Sequence, residues 1–283
     1  MGARRSRLSQ MLEFIRSQER TTIQEMVERF GVSAVTIRKD LEDLEREGLI
    51  VRTFGGAMAL RTSDVVEAFQ VRARLQSREK RLIGSAAARL IQPGESVIMD
   101  AGSTTLEIVR HLHGIESLNL ITPALNVALE ACTLPHVAVI VPGGGVLDHS
   151  TLSLEGPEIE EAFARLHADK FFMGVRSVDV QHGAMDTHMR RIRLKQAMMQ
   201  AVRQTFIVAD SSKFGKVSLF QIAPLSSVQA IVTDEGVSPD MLEQITALGV
   251  QVYIARAGEA PEVRQAATAQ QGRQTDNSEE LHL

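Results

Sequence analysis

Apolar residues recur with helical spacing in three segments at the start of the chain. In each segment the spacing places them on one face of a helix. The first two sets are Leu8, Met11, Leu12, Ile15 and Ile23, Met26, Val27, Phe30. The third set, in a helix expected from Ala34 to about Glu47, is Ile37, Leu41 and Leu44. The pattern therefore predicts three short amphipathic helices.

Turn and capping residues separate these helices. Thr22 and Glu25 form a capping box ahead of the second helix, and Ser33 is a suitable N-cap for the third. A short strand is expected over 49–53, followed by a glycine-permitted hairpin turn at 54–57. Three helices followed by a hairpin are typical of a winged helix-turn-helix, a fold that binds DNA.

The third helix has the residue types that a recognition helix needs. With Ile37 turned inward, Arg38 and Lys39 lie towards the outer side, where they can reach phosphates or guanine edges. The first 62 residues carry a formal net charge of +2, although the whole chain carries −4. The same pattern fits a three-helix protein-interaction module, so periodicity and charge alone leave both interpretations open.

A longer stretch of this segment resembles a known family. The run VSAVTIRKDLEDLEREGLIVRTFGGAM, residues 32–58, is similar without gaps to the N-terminal domain of the DeoR family of bacterial transcriptional regulators. The resemblance implies that the partner is double-stranded operator DNA. It also implies which residues contact that DNA, on the recognition helix and in the wing: Ser33, Thr36, Arg38, Lys39, Arg52, Gly55 and Gly56.

Beyond residue 94, short β-branched runs alternate with helical patterns. Such alternation predicts a mostly parallel sheet with helices on both faces, which is an α/β domain. The expected organisation is a winged helix-turn-helix over 1–62, a linker over 63–80, an α/β domain over 81–256 and a disordered tail over 257–283.

Hydroxyl-bearing, small and isolated charged residues follow most of the expected strands. They lie in the loops 100–105, 122–126, 142–145, 174–177 and 210–215. Open α/β sheets bind ligands outside the carboxyl ends of their strands. We therefore expect these loops to form one shared site.

The chemistry of the loops suits a sugar phosphate. A helix opening at 102–105 offers free backbone N–H groups and hydroxyls to an anion, and Lys213 supplies a point charge. Asp100 and Asp210 are placed to accept sugar hydroxyls. The expected effector-binding residues are Asp100, Gly102, Ser103, Thr104, Thr105, Thr122, Asn126, Gly143, Gly144, Arg176, Asp210, Ser212 and Lys213.

The resemblance to the DeoR family extends over roughly residues 1–255. In the larger domain it is carried by the runs 100–105, 142–144, 169–174 and 209–215. That family's sensor domain is similar in fold to ribose-5-phosphate isomerase and glucosamine-6-phosphate deaminase. The resemblance implies a repressor of a sugar, sugar-alcohol or amino-sugar operon that is released by a phosphorylated sugar and needs no cofactor.

An aldose–ketose isomerase is the alternative from another class, because the related enzymes share the expected fold. Such chemistry needs a carboxylate that moves a proton between neighbouring carbons. The isomerases carry an Asp-Gly-Ala-Asp-Glu stretch where this chain has Met173, Arg176 and Ser177 in the acidic positions. Asp100 and Asp179 are single acids, so a regulator is expected rather than an enzyme.

Arg176 also departs from the family pattern, in which Gly-Val-Asp-Gly is common. It reverses the charge at an expected ligand-facing position, and the segment 186–193 that follows is strongly basic. One interpretation is an effector with more negative charge, such as a bisphosphate or a sugar acid phosphate. The other is a solvated helix face over 190–193, with Arg176 paired to Asp179 or Asp186. The solvated face is favoured for the helix, and Arg176 stays open between the two.

The cysteine, histidine and apolar content of the sequence excludes several kinds of site and location. Cys132 is the only cysteine, so an internal disulfide is excluded, and no apolar run approaches 18 residues, so a membrane span is not expected. A cytoplasmic location fits both. His111 and His113 point to different sides of a helix, and no metal site is expected. Because winged-helix pairs read two half-sites, the chain is expected to form a dimer or tetramer.

Overall fold

The computed structural model describes residues 2–18, 20–46, 50–53, 55–59, 69, 72–258 and 260–265. The N-terminal part has three helices and three short strands. They are α1 (Gly2–Gln18), β1 (Arg20–Thr22), α2 (Ile23–Phe30), α3 (Ala34–Arg46), β2 (Ile50–Thr53) and β3 (Gly56–Ala59). The three expected helices are confirmed.

The expected capping residues begin two of these helices. The Thr22 hydroxyl accepts a hydrogen bond from the backbone N–H of Glu25 at 3.2 Å, and the Glu25 carboxylate accepts one from the Thr22 N–H at 2.7 Å. At α3 the Ser33 hydroxyl accepts from the Thr36 N–H at 3.2 Å. These bonds satisfy N–H groups that a helix start leaves without an intrahelical partner.

The inward positions of the helices form one small core. Its buried side chains are Met11, Ile15, Met26, Ile37, Leu41, Leu44, Ile50 and Ala57. Because this apolar stripe of α3 is covered, the opposite side of the helix is directed outward. Arg7 of α1 pairs with the buried carboxylate of Asp40 at 2.7 Å and so fixes α1 against α3.

The wing has a third strand that the sequence pattern did not assign. β1 pairs antiparallel with β3, which pairs with β2. Gly56 permits this pairing, because a Cβ added there would lie 2.0 Å from the Thr21 carbonyl oxygen. Gly55 makes the turn with a φ of +87°. Phe54, expected in the same turn, lies outside the described residues.

The second part of the chain is an α/β domain built on an eight-stranded sheet. Its elements are α4 (Ser77–Ala88), β4 (Ser96–Met99), α5 (Ser103–Arg110), β5 (Leu118–Ile121), α6 (Leu125–Ala131), β6 (Val137–Ile140), β7 (Val146–Asp148), β8 (Ser153–Glu155), α7 (Pro157–Phe163), β9 (Ala168–Gly174), β10 (Ser177–Asp179), β11 (Gly183–Asp186), α8 (Met189–Gln200), β12 (Val202–Val208), β13 (Phe220–Ala223), β14 (Ala230–Asp234), α9 (Pro239–Ala247), β15 (Gln251–Ala255) and β16 (Glu262–Arg264).

The strand order of the main sheet is β16–β15–β14–β12–β9–β4–β5–β6. All neighbouring pairs are parallel except β15 with β16. The expected mostly parallel sheet is therefore confirmed. Since β4, β9 and β12 are neighbours near its centre, the loops that follow them meet at the same edge.

Helices cover both faces of this sheet, and successive strand residues enter opposite cores. Val97 and Phe172 pack with α4, α5 and α6, whereas Ile98 and Phe171 pack with α7, α8 and α9. This alternation is the period of two that side chains follow along a strand. Two smaller sheets, β7–β8 and β10–β11–β13, were not expected from the sequence.

The expected linker and tail both contain packed residues. Phe69 is 8% exposed and belongs to the core against α4. β16 pairs antiparallel with β15, which corrects the expected disorder for Glu262–Arg264. Because backbone hydrogen bonds to β15 hold β16 at the edge of the sheet, the strand can form without a pattern of apolar side chains. Residues 63–68, 70, 71, 259 and 266–283 lie outside the described part of the chain. None of the helices that the structure describes has the length and apolar character needed to cross a membrane.

Candidate functional site

A cavity of about 450 Å³ opens beyond the carboxyl ends of β4, β9 and β12. This is the edge at which parallel α/β sheets bind their ligands, and the volume is in the usual range for small-molecule sites. Nine of the expected effector-binding residues lie in its wall: Asp100, Gly102, Ser103, Thr104, Thr105, Arg176, Asp210, Ser212 and Lys213.

The other four expected residues do not line this cavity. Thr122 is fully buried, and its hydroxyl donates to the Met99 carbonyl at 2.8 Å. Gly144 packs closely against α7, where an added Cβ would lie 2.6 Å from a side chain. Asn126 and Gly143 are likewise outside the cavity lining. These residues follow β5 and β6, which lie on the side of β4 away from β9 and β12.

The start of α5 forms one wall of the cavity. Ser103 and Thr104 are half-buried there, beside backbone N–H groups that the first helical turn leaves free. Thr105 is fully buried, and its hydroxyl donates to the Asp100 carbonyl at 2.8 Å, which fixes the loop before α5. The wall thus offers N–H groups and two hydroxyls, the donors that suit a phosphate.

A buried ion pair joins the ends of β4 and β9 to α8. The Lys195 ammonium donates to the Asp100 carboxylate and, at 2.7 Å, to the Gly174 carbonyl. The same carboxylate accepts from the N–H groups of Ala101 at 2.8 Å and Gly174 at 3.0 Å. Burial raises the pKa of Asp100, while the charge of Lys195 opposes that rise. Both oxygens of Asp100 therefore position the loops that follow β4 and β9. No pattern in the sequence predicted a role for Lys195.

The loop after β12 contributes a second buried carboxylate and a cation. Asp210 is 1% exposed and caps the turn Ser211–Lys213, accepting from the N–H of Ser212 at 3.1 Å and from its hydroxyl. Lys213 is half-buried in the cavity wall. Asp210 is thus occupied in shaping the loop that carries Lys213.

Arg72 ahead of α4 and Lys80 in its first turn also line the cavity, although both fall within the expected linker. The Nζ of Lys80 donates to the carbonyl oxygens of Arg72 and Leu75, at 2.5 Å for Leu75. Arg72 in turn donates to the Ser150 carbonyl. Burial lowers the pKa of Lys80 to about 8, although the charge of Asp210 opposes the shift. No apolar periodicity marks these residues, so the sequence pattern gave no signal for them.

For Arg191, the structure contradicts the interpretation that the basic residues of α8 form a solvated helix face. Its side chain is 17% exposed, lines the cavity, and pairs with Asp148 at 3.0 Å and Glu155 at 3.3 Å. Arg190 and Arg193 are exposed, so the interpretation is confirmed for those two. Carboxylates from β7 and β8 make a buried position tolerable for Arg191, and a hydrophobic pattern on α8 alone does not reveal them.

The two carboxylates beside Arg191 have opposite pKa shifts. Burial alone would raise the pKa of Asp148, but the charge of Arg191 and the N–H of Ser150 at 2.9 Å hold it at about 2. Burial and the charge of Asp148 raise the pKa of Glu155 to about 7. Near neutral pH Glu155 therefore carries only part of a negative charge.

Arg176 lies in the loop after β9 and also lines the cavity. Asp179, one partner considered for it, has its carboxylate 2.7 Å from the Nδ1 of His182 and accepts the His182 N–H at 2.9 Å. The charge of Arg176 contributes to lowering the pKa of Arg72. The positive charge of Arg176 is therefore close enough to the guanidinium of Arg72 to repel it.

Basic side chains outnumber acidic ones in the cavity wall. The seven basic residues are Arg72, Lys80, Arg176, Arg191, Lys195, Lys213 and Lys216, and the four acidic residues are Asp100, Glu155, Asp186 and Asp210. This balance favours an anionic ligand. Among the residues that the structure describes, no three His, Cys, Asp or Glu side chains are grouped to hold a metal ion.

In the N-terminal part, the outward side of α3 carries the expected basic residues. Arg38 and Lys39 are exposed there, and Val35 near the helix start is 72% exposed. The hydroxyls of Ser33 and Thr36 lie 3.0 Å apart at the helix cap. The face thus combines a small capped start with two cations beyond it.

The expected wing residues are placed differently from one another. The Arg52 guanidinium lies 3.3 Å from the Glu42 carboxylate and therefore ties β2 to α3. Gly55 is exposed at the turn, whereas Gly56 is buried against β1. Among these residues, Gly55 is the one that leaves its backbone open at the surface.

A winged helix-turn-helix with Arg38 and Lys39 on the outward side of its third helix, joined to an α/β domain whose cavity wall has an excess of basic side chains, defines a DNA-binding regulator with a small-molecule sensor domain. Residues 7–63 match the DeoR-like helix-turn-helix domain, and residues 75–235 match the DeoR C terminal sensor domain. The chain belongs to the DeoR family, and it is a transcriptional regulator rather than an enzyme.

Several relatives match over most of their length. The chain is 33% identical over 250 residues to a putative aga operon transcriptional repressor of Escherichia coli O157:H7, covering 88% of this chain and 93% of the relative. It is 29% identical over 253 residues to the transcriptional repressor GlcR of Bacillus subtilis strain 168, covering 89% and 97%. It is 31% identical over 231 residues to the transcriptional repressor AccR of Agrobacterium fabrum strain C58, covering 81% and 89%.

Solved structures show more remote similarity. Ribose 5-phosphate isomerase A of Neisseria gonorrhoeae aligns with a TM-score of 0.36 at 14% identity, over 52% of this chain and 55% of the isomerase. The translation initiation factor eIF-2B of Pyrococcus horikoshii OT3 aligns with a TM-score of 0.42 at 16% identity, over 74% and 78%. Similarity this remote says nothing about function.

Proposed function

We propose that this DeoR-type repressor releases its operator when a phosphorylated sugar binds the cavity of the sensor domain. The observation that carries the proposal is the cavity itself, with its excess of basic side chains beside the free first turn of α5. The repressor would act in the cytoplasm as a dimer or tetramer, since winged-helix domains read paired half-sites. Repression of a sugar-related operon is in keeping with the relative named for the aga operon.

The phosphate would bind at the start of α5. Ser103 and Thr104 offer hydroxyls and backbone N–H groups, and Lys213 offers a positive charge from the loop after β12. Anions are stabilised at helix N-termini by the free N–H groups and the helix dipole. Asp100 and Asp210 would hold these loops in place, because their oxygens already accept hydrogen bonds from the protein.

The segment between the two domains would transmit the effect of ligand binding to the DNA-binding domain. Arg72 and Lys80 line the cavity, and the chain between residue 59 of the wing and Arg72 is only a dozen residues long. A ligand that draws Arg72 and Lys80 towards itself would shift this segment in each subunit. It would thereby change the spacing of the paired winged helices, provided that it binds the two arrangements unequally.

On the DNA side, Arg38 and Lys39 would make the main contacts from α3. Ser33 and Thr36 would set the close approach of the helix start, and the exposed backbone at Gly55 would lie against the phosphates. Arg52 would contact DNA only by leaving Glu42, and Gly56 would support the wing by packing. Phosphate contacts fix the register, and base-edge contacts give the sequence preference.

The test is fluorescence anisotropy of the full chain on duplexes from the DNA upstream of its own gene. Random duplex is the control, and the titration is repeated at two salt concentrations with a panel of sugar phosphates. We expect specific, salt-sensitive binding that one compound relieves. Failure of every compound in the panel to weaken specific binding would argue against release by a sugar phosphate.

Lys213→Ala identifies the site of action. This variant should bind the operator with unchanged affinity and lose the response to the active compound. Arg203→Ala is a matched control, because Arg203 is 84% exposed and lies in the same domain away from the cavity lining. An unchanged dose response in Lys213→Ala would remove Lys213 from the ligand site.

A further inference from the structure

Three guanidinium groups from separate parts of the fold line one cavity. Arg72 precedes α4, Arg176 follows β9, and Arg191 lies in the first turn of α8. Arg72 and Arg191 converge on Ser150, since Arg72 donates to its carbonyl and Arg191 donates to its hydroxyl at 2.8 Å. The fold therefore brings together three like charges that are far apart in the chain.

The carboxylates beside this cluster are grouped around Arg191. Arg191 pairs with Asp148 at 3.0 Å and with Glu155 at 3.3 Å, and it lies 3.9 Å from Asp186. Burial lowers the pKa of Arg72 to about 10, and the charges of Arg191 and Arg176 add to the shift against Asp148 and Asp186. Arg72 is thus held beside other cations in a site with limited access to water. An anion bound there would relieve the repulsion.

The arginine cluster differs from the phosphate site in its elements and in its donors. The phosphate site uses the first turn of α5 with Lys213, whereas the cluster lies around the β7–β8 hairpin and the start of α8. Guanidinium groups form paired, planar hydrogen bonds that match carboxylate and phosphate oxygens. The monophosphate of a neutral sugar would fill the first site and leave the arginine cluster without a bound anion.

We propose that the effector carries a second anionic group, a carboxylate or a second phosphate, which Arg72 and Arg176 bind beside Arg191. This inference rests on the proposed function and adds the class of ligand to it. Arg72 and Arg176 contact the second anion. Arg191 pairs with Asp148, which orients the β7–β8 hairpin, and adds a third positive charge beside the anion. The effector is therefore a sugar bisphosphate or a phosphorylated sugar acid.

The test compares ligands that differ in the number of anionic ends. Glucose 6-phosphate, 6-phosphogluconate, fructose 1,6-bisphosphate and inorganic phosphate are titrated calorimetrically into the full chain at constant ionic strength. The compounds with two anionic ends should bind at least about tenfold more tightly than glucose 6-phosphate. A preference for 6-phosphogluconate identifies the second group as a carboxylate, and a preference for the bisphosphate identifies it as a phosphate.

Arg176→Gln is the test variant and Arg193→Gln is its matched control on the exposed side of α8. Arg176→Gln should weaken binding of the two-ended compounds more than binding of glucose 6-phosphate and so reduce the preference to within about threefold, whereas Arg193→Gln should leave the preference unchanged. If only inorganic phosphate binds, two ions per chain in the wild type and one in Arg176→Gln support the proposal, and one ion in both overturns it.

Two further results separate this proposal from the one on which it rests. A wild type that binds glucose 6-phosphate as tightly as the two-ended compounds, with binding lost in Lys213→Ala, overturns the second anion and keeps the sugar phosphate. The same holds if the preference survives in Arg176→Gln. No binding of any of the four compounds contradicts both proposals.

Discussion

The Nζ of Lys80 donates a hydrogen bond to the backbone carbonyl of Arg72. This contact ties Arg72 to the first turn of α4, and the side chains of both residues line the same cavity. The segment ahead of α4 is the chain's route from the wing to the sensor domain. A ligand that draws the Lys80 ammonium towards itself would therefore also act on the backbone at Arg72, which leads to the DNA-binding domain.

The lowered pKa of Lys80 predicts a pH dependence of effector binding. Its pKa is about 8, set by burial, with Asp210 and Glu107 opposing the shift and Lys213 and Arg72 adding to it. A bound anion favours the charged form, so binding at pH 8 should take up about half a proton, and affinity should fall as the pH rises above 8. Calorimetry at pH 8 in two buffers with different ionisation enthalpies measures the uptake.

Lys80→Arg is the control for this pH dependence. The guanidinium stays protonated, so the uptake attributed to Lys80 should disappear. Equal uptake in the variant and the wild type, or an affinity that rises between pH 8 and 9, would contradict the role of Lys80.

Arg38→Ala should weaken operator binding by about 1–3 kcal/mol and relax specificity at one base position, because an exposed arginine on this face of α3 can read a guanine edge. Anisotropy on operator variants that differ at single positions measures both effects. Arg203→Ala serves as the charge-matched control. An equal loss on operator and random duplex would make Arg38 a phosphate contact instead.

The two wing glycines should respond differently to alanine. Gly56→Ala places a Cβ 2.0 Å from the Thr21 carbonyl oxygen, a backbone atom that no rotamer change can move away. We expect β1 to separate from β3 and operator affinity to be lost. Gly55→Ala meets no atom within 4 Å, but its φ of +87° adds about 1–2 kcal/mol of strain. A Gly56→Ala protein with wild-type operator affinity would show that β1–β3 pairing is not needed for binding.

The buried pair of Lys195 and Asp100 should be strongly coupled in stability. Asp100→Asn or Lys195→Met alone leaves one buried group without its counter-charge and should cost about 3–5 kcal/mol. The double variant should cost less than the two single effects together by at least about 1 kcal/mol. Urea unfolding followed by the fluorescence of Tyr253, the chain's only tyrosine, reports on this domain. Additive effects would contradict a direct pair.

Local patterns in the sequence predicted much of the fold. Ile37 and Met11 are fully buried, as their helical spacing predicted, and Thr22 and Glu25 make the expected reciprocal cap. These features depend on neighbours within about one helical turn. The strand β1 depends instead on pairing with β3, which is distant in sequence. Gly56 allows this pairing, but the sequence pattern predicts only a turn at Gly56.

The site was predicted only as far as the strand order allowed. Gly102 and Lys213 meet because β4, β9 and β12 are neighbours, whereas Thr122 follows a strand on the other side of β4. The sequence contains no signal for that order. For a related reason the sequence contains no signal for Lys80 and favours a solvated position for Arg191, since buried cations interrupt the apolar pattern and their partners come from distant loops.

Ligand binding in the cavity and operator binding should be thermodynamically coupled. The most direct measurement is calorimetric titration of the active compound into the repressor, with and without saturating operator. Coupling is reciprocal, so operator should weaken ligand binding by the same factor, about 5–150-fold, by which the ligand weakens operator binding. Identical ligand affinity with and without operator would show that the cavity and the DNA-binding domain are not coupled.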